Sequence, residues 1–270
     1  MTHQTMSIAN IRDVTIAYED KGQGLPLVLI HGHPFDRSMW SDQACAFSSH
    51  YRVITFDLRG YGESTVVPGT TLLEDFARDI AGLLVDVGLT NIVLLGLSMG
   101  GQIALEFYRL FPGRVRALIL ADTFAQLDTA ERRQGRYDLA ERLMRDGMHA
   151  YADEVLPKMI APLTIKEQPE VAAHVLSMMR GTSPAGAAAA LRGRAERRDY
   201  TSLLSEIAVP TLIIVGSDDE FTPLADAEFM RKRIPNSRLA VIDESGHMPN
   251  LERPDKFNRV VEGFLSTLAQ

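Results

Sequence analysis

The chain has 270 residues, 46% of them apolar and 23% charged, which suits one large α/β domain with a substantial buried core. A net charge of −7 argues against nucleic acid or an anionic membrane as the main partner, because phosphate binding needs a positive surface. One cysteine, Cys45, excludes an intramolecular disulfide; no leader pattern is visible in residues 1–6 and no apolar run is long enough to span a bilayer, so the expectation is a soluble cytoplasmic protein.

Two short segments around Ser7-Ile8 and Val14–Tyr18 predict a hairpin, closed by the turn signal Lys21-Gly22-Gln23-Gly24. Pro26–Ile30 is a continuous apolar run suited to a strand buried on both faces, and it ends at His31-Gly32-His33-Pro34. Arg52–Phe56 is a second such run, leading into Asp57-Leu58-Arg59-Gly60-Tyr61-Gly62-Glu63-Ser64. Helical spacing of Leu73, Phe76, Ala77, Ile80, Leu83, Leu84 and Val87 predicts a helix over 72–88, stopped by Gly88.

Next comes the strand Asn91–Leu95, then Gly96-Leu97-Ser98-Met99-Gly100, then a helix running to Phe111-Pro112-Gly113. Strand, sharp turn and helix are the context in which a G-x-S-x-G sequence forms a nucleophile elbow, lifting the Ser98 hydroxyl clear of the sheet's end. Arg116–Ala121 predicts a further strand.

Then the alternation breaks. Residues 125–205 contain no buried-strand run and predict several helices punctuated by Pro157, Pro162, Pro169 and Pro184. The α/β rhythm resumes with a strand at 210–215, a helix near 224–233, a strand at 238–242 and a helix over 255–268. The expected organisation is a core of residues 1–124 and 206–270, built on a mostly parallel sheet flanked by helices, with a helical cap, 125–205, inserted between strands.

A serine hydroxyl needs a base to take its proton and a third group to orient that base. The strand ending at Val215 runs into Gly216-Ser217-Asp218-Asp219, and the one ending at Ile242 runs into Asp243-Glu244-Ser245-Gly246-His247. Serine, aspartate and histidine thus follow one another at strand ends, where open parallel sheets carry their functional loops. Both Asp218 and Asp219 fit that position.

Across nearly its whole length the chain resembles the α/β-hydrolase family, and within it the small cofactor-free bacterial esterases, enol-lactonases and perhydrolase-like haloperoxidases. The resemblance rests on His31-Gly32-His33-Pro34, Asp57-x-Arg59-Gly60-x-Gly62-x-Ser64, the elbow, Gly216-x-x-Asp219-x-x-x-Pro223 and Gly246-His247. It implies Ser98 as nucleophile, His247 as base and Asp219, rather than Asp218, as the acid. An oxyanion hole of backbone N–H groups is expected from Met99, after the nucleophile, and from His33, placed by the resemblance. The implied activity is hydrolysis of a small carboxylic ester or lactone through an acyl-enzyme, without cofactor or metal. Transfer to hydrogen peroxide, lactam or amide hydrolysis, and ligand reception on the same scaffold are the alternatives.

Other residues carry weaker expectations. Trp40, Phe124, Phe221 and Met248 are expected as pocket walls from their positions near the loops. Asp57 and Arg59 are expected to hold their loop, and His31 to stabilise its own rather than bind a metal with His33. The run Arg192-Gly193-Arg194-Ala195-Glu196-Arg197-Arg198 is expected to be a solvated helix face rather than an anion site. The methionines at 144, 148, 159, 178 and 179 fit either a pocket lining or the interior of the helical insertion.

Overall fold

The computed structural model describes residues 6–268; residues 1–5, most of the stretch read above for a leader, lie outside it. Eight strands form one sheet: β1 (Ser7–Ile11), β2 (Val14–Lys21), β3 (Leu25–Ile30), β4 (Tyr51–Phe56), β5 (Ile92–Leu97), β6 (Val115–Ala121), β7 (Thr211–Gly216) and β8 (Ser237–Ile242). Their order is β1-β2-β4-β3-β5-β6-β7-β8. The hairpin β1–β2 and the β2–β4 pair are antiparallel, and every other pairing is parallel. This is the mostly parallel sheet expected from the alternation of apolar runs and helical patterns, in the α/β-hydrolase fold that the resemblance implies.

The apolar runs explain the centre of the sheet. Every residue of β5 and β7 is buried, as expected for parallel strands covered on both faces. Alternate side chains serve opposite layers. Val28, Ile54, Leu94 and Leu118 face α2 (Leu73–Asp86), α3 (Met99–Leu110) and α10 (Leu224–Arg231). Leu27, Val53, Val93 and Ala117 face α1 (Ser41–Phe47) and α12 (Pro254–Leu265). The short α1 and α11 (Pro249–Glu252) were not among the expected elements.

Between β6 and β7 the chain forms α4 (Ala130–Asp146), α5 (His149–Met159), α6 (Pro162–Glu167), α7 (Pro169–Gly181), α8 (Pro184–Ala195) and α9 (Thr201–Leu204). Ala187, Ala188 and Leu191 of α8 pack against Ala140 and Leu143 of α4. Two glycines let α8 press onto the sheet-bearing part of the protein: a Cβ on Gly186 would sit 1.9 Å from the Gly60 carbonyl oxygen, and one on Gly193 1.6 Å from that of Thr71.

The strand order fixes where chemistry can occur. After β3 the sheet grows one way through β4, and from β5 it grows the other, so the loops leaving β3 and β5 sit side by side at a switch point. Those loops carry His33 and Ser98. The loops leaving β6, β7 and β8 open at the same carboxyl edge. No helix among the described residues is long and apolar enough to cross a membrane.

Candidate active site

Ser98 occupies a turn few L-residues adopt, with φ 57° and ψ −117°. Backbone strain of this kind persists only where the surroundings over-determine it. Here the surroundings are close-packed backbone. A Cβ on Gly96 would fall 2.2 Å from the Gly100 carbonyl oxygen, and one on Gly100 would fall 2.3 Å from that of Ile30. The Ser98 N–H donates to the Ala121 carbonyl at 2.9 Å, and Thr123 Oγ1 donates to the Ser98 carbonyl at 2.7 Å. The turn is thereby tied to the end of β6.

Met99 opens α3, so no carbonyl four residues earlier within the helix accepts from its N–H. The loop after β3 runs against the elbow: a Cβ on Gly32 would lie 3.3 Å from Ser98 Cβ. His31 holds this loop. Its Nε2 accepts from the Leu58 N–H at 2.9 Å, so its Nδ1 carries the proton and donates to the Gly32 carbonyl at 2.8 Å. His33 contacts the Tyr61 hydroxyl through Nδ1 at 2.7 Å, while its Nε2 is buried without a partner. Burial holds the His33 imidazole well below the ordinary histidine range, and the charges of Arg194 and Arg136 add to the effect.

Asp219 sits in the turn after β7 and His247 in the loop after β8, both buried. His247 Nδ1 lies 2.8 Å from Asp219 Oδ2. The other carboxylate oxygen accepts the Phe221 and Thr222 N–H groups at 2.8 and 3.1 Å, and Thr222 Oγ1 donates to Oδ2. Burial alone would raise this carboxyl, but the neighbouring His247 and these hydrogen bonds outweigh it and hold Asp219 well below the usual carboxylate range. Asp218 is exposed and takes a hydrogen bond from Ser217 Oγ.

Two groups that sequence reasoning did not single out complete the arrangement. Asp122, at the end of β6 with φ 45°, accepts the Gly216 N–H at 2.8 Å through Oδ1, and its Oδ2 is buried without a partner. Burial pushes its carboxyl well above the ordinary range, and the adjacent Asp219 carboxylate reinforces the shift. Asp122, Asp219 and His247 form the one convergent carboxylate–histidine group among the described residues. The oxygens of Asp219 are already committed to hydrogen bonds, so this donor set reads as a proton-holding cluster before it reads as a cation site.

Glu252 of α11 is the second. Its Oε1 accepts from the Gly246 and Met248 N–H groups at 2.8 and 3.3 Å, and its Oε2 from the Ala161 N–H and Thr164 Oγ1, each at 2.7 Å. One buried carboxylate therefore pins both the His247 loop and the α5–α6 junction. The His247 N–H donates to the Met159 carbonyl at 3.0 Å in the same seam.

Ser98, His247 and His33 line one cavity of about 320 Å³, walled by Phe124, Phe221, Leu139, Tyr151, Met159 and Leu191, with Arg132, Arg136 and Arg194 among its polar members. Phe221 lies beside the His247 ring, centroids 5.2 Å apart. A larger cleft of about 730 Å³ between α4 and residues 194–199 includes neither Ser98 nor His247.

Two expected pocket walls are elsewhere. Trp40 and Met248 are fully buried in the layer between the sheet and α1 and α12, where Trp40 packs on Phe257 at 6.3 Å, and neither lines the cavity. Of the methionines, Met159 alone lines the cavity; Met148, Met178 and Met179 are interior and Met144 is half exposed. The basic run is a solvated face only in part: Glu196 and Arg198 are exposed, but Arg194 and Arg197 are buried, because the glycine contacts of α8 turn that end of the helix inward. Asp57 and Arg59 are structural, Asp57 paired with Arg37 and Arg59 with Asp79.

A family described as alpha/beta hydrolase fold matches residues 26–254. The chain is similar to 3-oxoadipate enol-lactonase 1 of Acinetobacter baylyi, 31% identical over 86% of this chain and 85% of that protein. Among solved structures it is similar to a thermophilic esterase from Thermogutta terrifontis, determined with malate bound, at 39% identity and a TM-score of 0.96 over 98% of this chain and 100% of that one. It is also similar to the enol-lactonase from Burkholderia xenovorans, at 28% identity and a TM-score of 0.90 over 96% of this chain and 100% of that one.

Proposed function

This chain is a hydrolase of the α/β-hydrolase fold family, and on that footing we propose that it cleaves a small carboxylic ester or lactone at Ser98 through an acyl-enzyme. The observation that carries the proposal is that Ser98, on its strained elbow, shares one cavity with a His247 whose Nδ1 is engaged by an ionised, buried Asp219.

The steps follow from that arrangement. Asp219 accepts from His247 Nδ1–H, which leaves Nε2 as the basic nitrogen facing the cavity. His247 takes the Ser98 proton as Oγ attacks the acyl carbon, and the carbonyl oxygen becomes an oxyanion. The N–H groups of Met99 and His33 receive that charge, and the N-terminus of α3 adds a favourable dipole. His247 then gives its proton to the leaving alkoxide. Water, deprotonated by the same nitrogen, releases the acid and regenerates Ser98. The helices of 125–205 act as a cap whose Leu139, Tyr151, Met159 and Leu191 close the acyl pocket.

Hydrolysis of a short p-nitrophenyl ester tests the reading. Many turnovers, abolished in Ser98→Ala, are expected; a single burst without turnover, or unchanged activity in that variant, would refute it.

A further inference from the structure

Arg194 presents a buried cation to the site with no anion to match it. The residue is only 8% exposed, and its Nε donates to Gln102 Oε1 at 3.1 Å. No carboxylate among the described residues forms an ion pair with it. The acid nearest in charge, Asp128, is already taken: Arg136 holds it through two bonds of 2.7 and 3.2 Å, and Arg197 approaches it at 3.3 Å. Three guanidinium groups therefore face one carboxylate, and Arg136 and Arg194 both line the cavity that holds Ser98. Arginine does not shed its proton to relieve such crowding. Arg194 lines both this cavity and the larger cleft, and none of its nitrogens is among the buried atoms left without a partner, so its outer nitrogens open onto cavity space where an entering anion can match the charge.

The position of Arg194 relative to the nucleophile is set by Gln102. That residue lies one helical turn beyond Ser98, its N–H donating to the Ser98 carbonyl at 3.2 Å. Its side-chain oxygen holds Arg194 Nε, leaving the outer nitrogens of the guanidinium as the planar fork that matches a carboxylate. The remaining walls are apolar (Phe124, Leu139, Leu191, Phe221) and suit a short methylene chain.

We propose that Arg194, with Arg136 beside it, receives a carboxylate carried by the substrate, so that the compound opened at Ser98 is the half-ester or lactone of a short dicarboxylic acid. This rests on the hydrolase reading above and narrows it.

The test compares two ethyl esters of equal chain length by pH-stat, monoethyl glutarate and ethyl valerate, on the purified protein. The glutarate half-ester is expected to show a kcat/KM at least about tenfold higher, because a site built for a polar group rejects the analogue that lacks it. In Arg194→Met that ratio is expected to fall by about tenfold or more, chiefly through KM, with Arg194→Lys recovering part of it. Turnover of both esters without preference, or a ratio unchanged in Arg194→Met, overturns the carboxylate inference and leaves the hydrolase reading standing. Equal loss on both esters in Arg194→Met also overturns it, assigning Arg194 to the chemistry or the fold instead. Failure to cleave any ester, p-nitrophenyl esters included, is the separate failure of the hydrolase reading. Should Arg194→Met not fold, wild-type inhibition decides: glutarate is expected to compete with ethyl valerate at least about tenfold more strongly than valerate does, and equal inhibition by the two overturns the inference.

Discussion

Asp122 and Asp219 bring two buried carboxyl groups together beside His247, one oxygen of each and a His247 ring nitrogen all lying within 4.8 Å of one another. Two like charges so close and so dry cannot both persist. The structure resolves the conflict by unequal solvation. Asp219 accepts from two N–H groups, a hydroxyl and the imidazole, while Asp122 has a single N–H donor and a bare second oxygen. Asp219 keeps the charge and Asp122 keeps the proton.

The division predicts an order of losses among three neighbouring substitutions. Asp219→Asn removes the group that orients His247 and is expected to lower kcat by about 10³–10⁴-fold, the scale seen when a triad acid becomes an amide. Asp122→Asn replaces a neutral acid by a neutral amide that can still donate, and its loss is expected to be far smaller. Asp218→Asn changes an exposed turn residue and is expected to leave kcat within about threefold. Ester hydrolysis by the three purified variants checks the order; a larger loss at 218 or 122 than at 219 would reassign the acid.

Glu252 predicts a loss of both stability and rate from one atom's change. Its two oxygens accept four hydrogen bonds, two from the His247 loop and two from the α5–α6 junction. Glu252→Gln turns one oxygen into a donor facing donors. The expected cost is about 3 kcal/mol, from buried groups left unpaired. Urea denaturation should show it as a lower midpoint, and kcat should fall because the segment carrying His247 loses its anchor.

The elbow predicts a sharp contrast between glycines. Gly100→Ala would place a methyl group 2.3 Å from the Ile30 carbonyl oxygen and 2.8 Å from that of His31, with backbone on both sides and nothing free to yield. A destabilisation of about 3 kcal/mol or more is expected. Gly113→Ala meets nothing within 4 Å and should change stability by no more than about 0.5 kcal/mol. Thermal melts of the two variants side by side test whether close packing, rather than glycine content, makes the turn.

Sequence was most informative where one local pattern had one structural solution. Continuous apolar runs became β3, β5, β6 and β7, strands covered on both faces and buried over most of their length. A glycine-flanked serine between such a strand and a helix became the strained turn at Ser98. Features set by packing between distant segments were hidden. Arg194 is buried because Gly186 and Gly193 let α8 sink against Gly60 and Thr71, and no periodicity within 192–198 reports that contact. Glu252 gave no signal, since a glutamate on a four-residue helix reads as surface. Trp40 and Met248 misled because loop position does not fix side-chain direction. Asp122 was the nearest miss: an aspartate directly after a buried strand, on the edge where Ser98, Asp219 and His247 stand, satisfied the strand-end criterion used for the other three.

Protonation of the buried groups predicts opposite pH dependences for two variants. His33 is held well below its ordinary pKa of 6.5, so the folded protein keeps it neutral where the unfolded chain already binds a proton. As pH falls below 6.5 the unfolded state takes up more protons than the folded one, and stability drops by up to about 1.4 kcal/mol per pH unit until the folded value is reached. His33→Asn removes that penalty, so its stability relative to wild type is expected to rise as pH falls from 7 towards 5 (about 7 to about 5, spanning the histidine range). Asp122 is displaced the other way: its folded pKa lies well above 3.8, so the fold holds a proton that the unfolded chain has released. That cost is absent below 3.8 and grows as pH rises towards the folded value, after which it stays constant. Asp122→Asn is therefore expected to gain on wild type as pH is raised from about 4 to about 7, with the same limiting slope of about 1.4 kcal/mol per pH unit. Urea unfolding of wild type and both variants across that range measures the two differences, and slopes of the same sign would contradict the assignment of a neutral histidine and a neutral aspartic acid to the same buried edge.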